Sequence, residues 1–208
     1  MNILRIDSSI LGEQSVSRSL TGKVVADLCE FDPDARVTAR DLAQDTPAHL
    51  TGDLLPALRG QGGRLSIAQE ADLKRTEAWL GEFLAADILV VGVPQYNFSV
   101  PSQLKAWIDR ITQPGRTFRY TANGPVGLAG CKRAIVISSR GGVRADPNSL
   151  DLHEQVVDVV FRFLGITDIA YVRAHGLAMG DESREAGLAS ARAAIEALRE
   201  SYLTGATA

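Results

Sequence analysis

Two stretches of this chain are apolar almost without interruption, Asp87-Ile88-Leu89-Val90-Val91-Gly92-Val93-Pro94 and Ala134-Ile135-Val136-Ile137-Ser138. Neither alternates polar and apolar residues as a strand with one wet face would. Strands of this kind are buried on both faces, the position of inner strands in a parallel sheet. Parallel strands need crossover connections, usually helices, and the chain supplies them. Asn2–Asp7 is a short β-rich run, Arg36–Leu42 alternates Val37 and Ala39 with polar neighbours as a half-buried strand does, and Thr167–Arg173 reads as a further strand. Leu20, Val24, Val25 and Leu28 recur at helical spacing within Ser17–Phe31. Helical patterns also cover Ile67–Ala85, Pro101–Ile111 (with proline in the first turn), Leu150–Leu164 and Ser183–Leu203. Thr46–Ser66 is rich in Gly, Pro and polar residues and reads as a surface excursion with a short helix in it. The expectation is an α/β fold with a five-stranded, parallel, doubly wound sheet, helices on both faces and right-handed crossovers. No repeat or domain boundary interrupts it, so residues 1–208 are expected to form one domain.

Composition excludes several function classes. With 45% hydrophobic and 23% charged residues the chain can bury a core, and a net charge of −3 is too mild for a polyanion-binding protein. Lys and Arg are dispersed, which argues against nucleic acid as a partner. No apolar run approaches the roughly 20 residues needed to cross a bilayer, and the N-terminal run contains Arg5 and Asp7, so a soluble, cytoplasmic protein is expected. Cys29 and Cys131 have no metal-ligand spacing and read as incidental thiols, so no metal site is expected.

In a doubly wound sheet, ligands bind beyond the carboxyl ends of the strands, at the point where the strand order reverses. Three loops lie there. The first carries Ser9, Ser15 and Ser17 beside a helix start, where free backbone amides and the positive dipole end favour an anion. N-capping alone explains any one of these serines. The pattern GxxxxGK[ST] is absent, and GxGxxG does not follow the first strand. The second loop, Gln95-Tyr96-Asn97-Phe98 between Pro94 and Pro101, joins two aromatics and two amides on a restricted backbone. That combination suits a flat ring with a polar edge, and equally aromatics that cover the sheet end. The third, Ser138-Ser139-Arg140-Gly141-Gly142, lets the backbone approach a flat ligand closely or adopt positive φ, or is simply a turn.

The segments Ser9-Ile10-Leu11 with Ser15-x-Ser17, Pro94-x-Tyr96-Asn97-Phe98, Gln103-Leu104-Lys105, Thr117-Phe118-Arg119-Tyr120-Thr121-x-Asn123-Gly124-Pro125, Ser139-Arg140-Gly141-Gly142 and Gly165-Ile166-Thr167-Asp168 resemble, in order and spacing, the FMN-dependent NADH-azoreductases and NAD(P)H:quinone oxidoreductases. The resemblance implies a flavodoxin-like fold and one noncovalent FMN per subunit of a homodimer, with the two sites at the subunit interface. It implies that Ser9, Ser15, Val16 and Ser17 contact the phosphate. Gln95, Tyr96, Asn97 and Phe98 would line the isoalloxazine, with Ser139, Arg140, Gly141 and Gly142 on its other side. Tyr120 and Phe163 are implied as substrate-facing aromatics. Gln95 stands where methionine is expected in that family.

The implied reaction is ping-pong transfer of two electrons from NADH or NADPH to quinones and aromatic azo compounds, with cleavage of the azo bond to amines. The flavin carries the chemistry, so no side chain is nominated as catalytic. His49, His153 and His175 are isolated and read as bystanders; for His153, which follows the third loop, a place near the pocket is the alternative reading. A flavodoxin-type electron carrier and a flavin-free scaffold protein are the competing readings.

Overall fold

A computed structural model describes residues 1–59, 61, 64–130, 132–143 and 151–204, with the side chains of Leu203 and Thr204 outside the description. Cys131, and Leu150 at the expected start of a helix, therefore lie outside the described residues. In chain order the strands are β1 (Asn2–Asp7), β2 (Arg36–Asp41), β3 (Ile88–Pro94), β4 (Phe118–Thr121), β5 (Gly124–Gly127), β6 (Arg133–Ser139) and β7 (Asp168–Ala174). The helices are α1 (Val16–Phe31), α2 (Leu55–Leu58), α3 (Ile67–Ala85), α4 (Ser102–Ile111), α5 (Leu152–Phe163) and α6 (Asp181–Thr204).

Five strands form one parallel sheet in the order β2-β1-β3-β6-β7. Successive side chains of a strand point to opposite faces, so each central strand feeds two cores. Leu4, Ile6, Leu89, Val91, Val93, Ala134 and Val136 meet Trp79, Leu80 and Phe83 of α3, Trp107 and Ile111 of α4, and Val157 and Phe161 of α5. Ile3, Ile88, Val90, Ile135 and Ile137 point the other way, onto Leu20, Val24 and Leu28 of α1 and Ala191 and Ile195 of α6. Cys29 is a free, half-buried thiol packed against this second core. Among the described residues no helix is long and apolar enough to cross a membrane.

Three local expectations change. β2 is mostly exposed rather than half-buried, because it is the outer strand and has a neighbour on one side only. Among its described residues the Thr46–Ser66 excursion is tied down: Leu54 and Leu58, at either end of a helical turn, are buried. Residues 118–127 form an antiparallel hairpin that the hydrophobic pattern does not signal. The hairpin is pinned to the end of α5, where the Ala129 amide donates to Leu164 O at 2.9 Å. Gly127 allows this approach, since a Cβ there would lie 2.1 Å from Gly165 N and 2.4 Å from Leu164 O.

Candidate functional site

The strand order reverses between β1 and β3, and the first two loops meet above that point. A short 3₁₀ turn, Gly12–Gln14, leads the first loop into α1. Ser15 caps the helix: its Oγ accepts the Arg18 amide at 3.2 Å and lies 3.1 Å from Ser17 Oγ. The amides of Val16 and Ser17 begin the helix and have no intrahelical acceptor by construction. Ser9, Ser15 and Ser17 are all buried at this end, with Val16 partly so.

Beneath the loop lies a charged layer that the hydrophobic pattern does not reveal. Asp7 pairs with Arg5 at 2.8 Å and accepts the Thr21 hydroxyl at 2.6 Å, while Arg18 pairs with Asp41. Burial pushes the Asp41 carboxyl up, but the Arg18 guanidinium and the Ala43 amide outweigh it and hold the group below the usual carboxylate range. Ser8 and Gln103 brace the strand end: Ser8 Oγ donates to Gly92 O at 2.6 Å and Gln103 Nε2 donates to Ser8 O at 2.7 Å.

The second loop is a strained turn. Tyr96 and Ser99 exchange backbone hydrogen bonds of 3.0 and 3.1 Å across Asn97 and Phe98, whose φ values are +47° and +69°. Positive φ at both central residues is the type I′ pattern, ordinarily built from Gly, Asn or Asp. Phe98 in that conformation is out of character, and its ring is 75% exposed. Strain of this kind persists where the surroundings over-determine it and clusters at ligand sites. The turn overhangs an open groove of about 870 Å³ lined by Ile10, Gln95, Tyr96, Asn97, Lys105 and Val156. That volume lies within the range of small-molecule pockets. Tyr96 closes the groove toward α1, its hydroxyl 3.0 Å from Ser9 Oγ.

The third loop joins the second through Gln95, whose amide donates to Ser139 O at 2.8 Å. Arg140 is engaged within its own loop, pairing with Asp151 at 2.5 Å and donating to Val143 O at 2.6 Å. Of the two uses expected for the glycines, positive φ is found at neither Gly141 nor Gly142. Gly141 instead makes room for a neighbour within the chain: a Cβ there would stand 3.1 Å from Ala178 Cβ. Asp151, Glu154 and His175 form the one described group with metal-ligand atoms near one another, within 4.8 Å, and Glu154 is already paired with Arg173 at 3.0 Å.

Tyr120 and Phe163 are brought together, but elsewhere. Both ring systems pack on Phe118, at centroid distances of 5.5 and 4.7 Å. Tyr120 faces a second groove beside Leu55, Leu58 and Pro114. Two further residues stand beside the first groove, Ser138 at the start of the third loop and His153 beyond it. Ser138 hides in an apolar strand, and His153 sits on a helix 58 residues from the glutamine it touches.

The chain matches the flavodoxin-like fold family over residues 1–198. It is 74% identical over 200 residues to an FMN-dependent NADH:quinone oxidoreductase of Cupriavidus necator, covering 96% of this chain and 97% of that protein. A protein of the same name from Azospirillum brasilense is 51% identical, over 95% of this chain and 97% of its own length. Among solved structures, an azoreductase from Bacillus anthracis superposes with a TM-score of 0.85 at 26% identity, over 96% and 99% of the two chains. An FMN-dependent NADH-azoreductase of the same species, crystallised with FMN, gives a TM-score of 0.83 at 25% identity over the full length of both.

Proposed function

Because the chain belongs to the flavodoxin-like family of FMN-dependent NADH:quinone oxidoreductases, we propose that it binds FMN across its three loops and uses NADH to reduce quinones and, more broadly, aromatic azo compounds. The observation that carries this reading is the junction of the α1 N-terminus with the strained Tyr96–Ser99 turn over one groove. The residues present fit the cofactor. Buried serines and unpaired helix amides suit a phosphate without a metal, and the groove offers an aromatic wall with amide groups along it.

Ser9, Ser15, Val16 and Ser17 hold the phosphate, and Gln95, Tyr96, Asn97 and Phe98 receive the ring. Ser139, Arg140, Gly141 and Gly142 close its other side. Arg140 is held there by Asp151 on its side chain and by Ala174 and Leu177 on its backbone. Bound in this way, FMN would supply the two-electron redox chemistry between NADH and the acceptor, and these residues would hold it. Reductant and oxidant must enter the same groove, so they take turns in it, which is a ping-pong scheme.

The loops around the site expose apolar side chains: Ile10, Leu11 and Phe98 are all more than half exposed, at 66, 54 and 75%. Exposure of this kind supports a homodimer that covers these loops. In such a dimer Tyr120 and Phe163, which lie outside their own groove, are available to the partner's substrate. Sedimentation at micromolar concentration is expected to give twice the mass of one chain; a monomer removes the dimer from the proposal.

The test of function is an absorbance spectrum of protein reconstituted with FMN, followed anaerobically by NADH and then a quinone or azo dye. Bleaching by NADH and recovery with the acceptor are expected. Bound flavin that NADH does not bleach favours an electron carrier, and protein that takes up no FMN ends the reading.

A further inference from the structure

His153, at the second position of α5, is fully buried, and each ring nitrogen faces a polar side chain. Nε2 lies 2.8 Å from Ser138 Oγ, near the carboxyl end of β6. Nδ1 lies 3.3 Å from Nε2 of Gln95. Gln95 is itself a wall of the groove, with its backbone amide anchored on Ser139 O at 2.8 Å. A chain of three side chains thus runs from inside the sheet to the ligand surface.

The direction of this chain follows from what each group can do. Gln95 presents its amide nitrogen to Nδ1, and an amide nitrogen only donates, so this arrangement pairs with an imidazole unprotonated at Nδ1. A neutral imidazole of that tautomer carries its proton on Nε2 and donates it to Ser138 Oγ, 2.8 Å away. A primary amide has two ends of nearly equal size, and nothing but its partners decides which end points where. With the nitrogen engaged by His153, the oxygen is the end left for the groove.

We propose that Ser138 and His153 act as positioning residues for Gln95: they orient its amide so that Oε1 stands as a hydrogen-bond acceptor in the groove. That acceptor favours ligands with an O–H or N–H at the adjoining edge, which among electron acceptors means hydroxyl-bearing quinones over those with only alkyl substituents. The inference rests on the proposed function of the groove and deepens it by naming a specificity element. Nothing in it requires His153 to change charge during turnover.

The tautomer is read directly by nitrogen NMR of histidine-labelled protein, apo and with FMN. An unprotonated Nδ1 and a protonated Nε2 are expected for His153, and a protonated Nδ1 overturns the proposal. The second measurement is the ratio of kcat/KM for a hydroxyl-bearing naphthoquinone to that for its methyl-bearing counterpart. Gln95→Met and His153→Phe should each lower this ratio about threefold to tenfold, the worth of one hydrogen bond. The double variant should lower it no further, because both changes remove the same contact. Ser138→Ala loosens the far end without touching the groove and should move the ratio in the same direction, which covers the case of a His153 variant that does not fold. A purely structural histidine predicts a lower melting temperature with the ratio unchanged, and that result in protein that still binds FMN overturns the proposal. Wild-type protein that takes up no FMN, or that NADH does not reduce, defeats the proposed function itself; an unchanged ratio in a competent flavoprotein defeats only the role of His153.

Discussion

The Tyr96 hydroxyl lies 3.0 Å from Ser9 Oγ and accepts the Ile10 amide at 3.1 Å, closing the loop after β1 onto the loop after β3. One phenol thus holds the phosphate half and the ring half of the candidate site in register. Tyr96→Phe removes both contacts and keeps the ring. FMN affinity should fall about threefold to tenfold, from the worth of one or two neutral hydrogen bonds, with only a small change in melting temperature. Fluorescence titration of FMN measures it, and unaltered affinity would separate the two loops.

Ser17→Asp places a carboxylate at the start of α1, where the proposed phosphate sits. The helix itself tolerates an acid there. Two like charges at close range should weaken FMN binding by at least about tenfold. Undiminished binding would move the phosphate away from this helix.

Phe98 has φ at +69° and a largely exposed ring. Phe98→Gly relieves strain of about 1–3 kcal/mol and restores chain entropy costing about 0.5–1 kcal/mol. The apo protein should therefore melt about 2–4 °C higher, while FMN, having lost part of its wall, dissociates faster. A lower apo melting temperature would mean that the ring, not the backbone, dominates the turn.

The Asp41 carboxyl has its pKa lowered by Arg18 in the folded protein. A depressed carboxylate contributes stability that is present above its unfolded pKa, near 3.8, and lost as pH falls through the folded value. Wild type should lose stability on acidification across that window. Asp41→Asn, less stable at neutral pH, should show a shallower acid limb in melts taken from pH 6 to 2.

Gly127→Ala drives a Cβ into the backbone of Leu164 and Gly165, which cannot swing aside as a side chain does. A loss of about 1–3 kcal/mol is expected, with loosening of the 118–127 hairpin visible as faster amide exchange there.

The legible parts of this chain are those whose physics is local. β3 and β6 announce themselves because unbroken apolar runs have few other uses, and α1 and α4 because their buried faces repeat at helical spacing. The Tyr96 loop is marked by its two flanking prolines. Its positive φ at Phe98 is not, since phenylalanine normally avoids that region, and the mutual pairing of Tyr96 with Ser99 overrides the preference. The β4–β5 hairpin escapes because its strands are four residues each and mostly exposed. His153 looks like a bystander because its partners come from two other strand ends, and no spacing rule links positions brought together by a crossover.

The outer strand β2 carries Arg36, Thr38 and Arg40 along its exposed length, with Arg40 bound to Glu82. A bare strand edge is a template on which another chain can zip up, and charged side chains along it discourage that extension. The sheet is therefore closed to growth on its β2 side. Strand-by-strand extension from this edge, the route to an open-ended fibre, is thereby disfavoured.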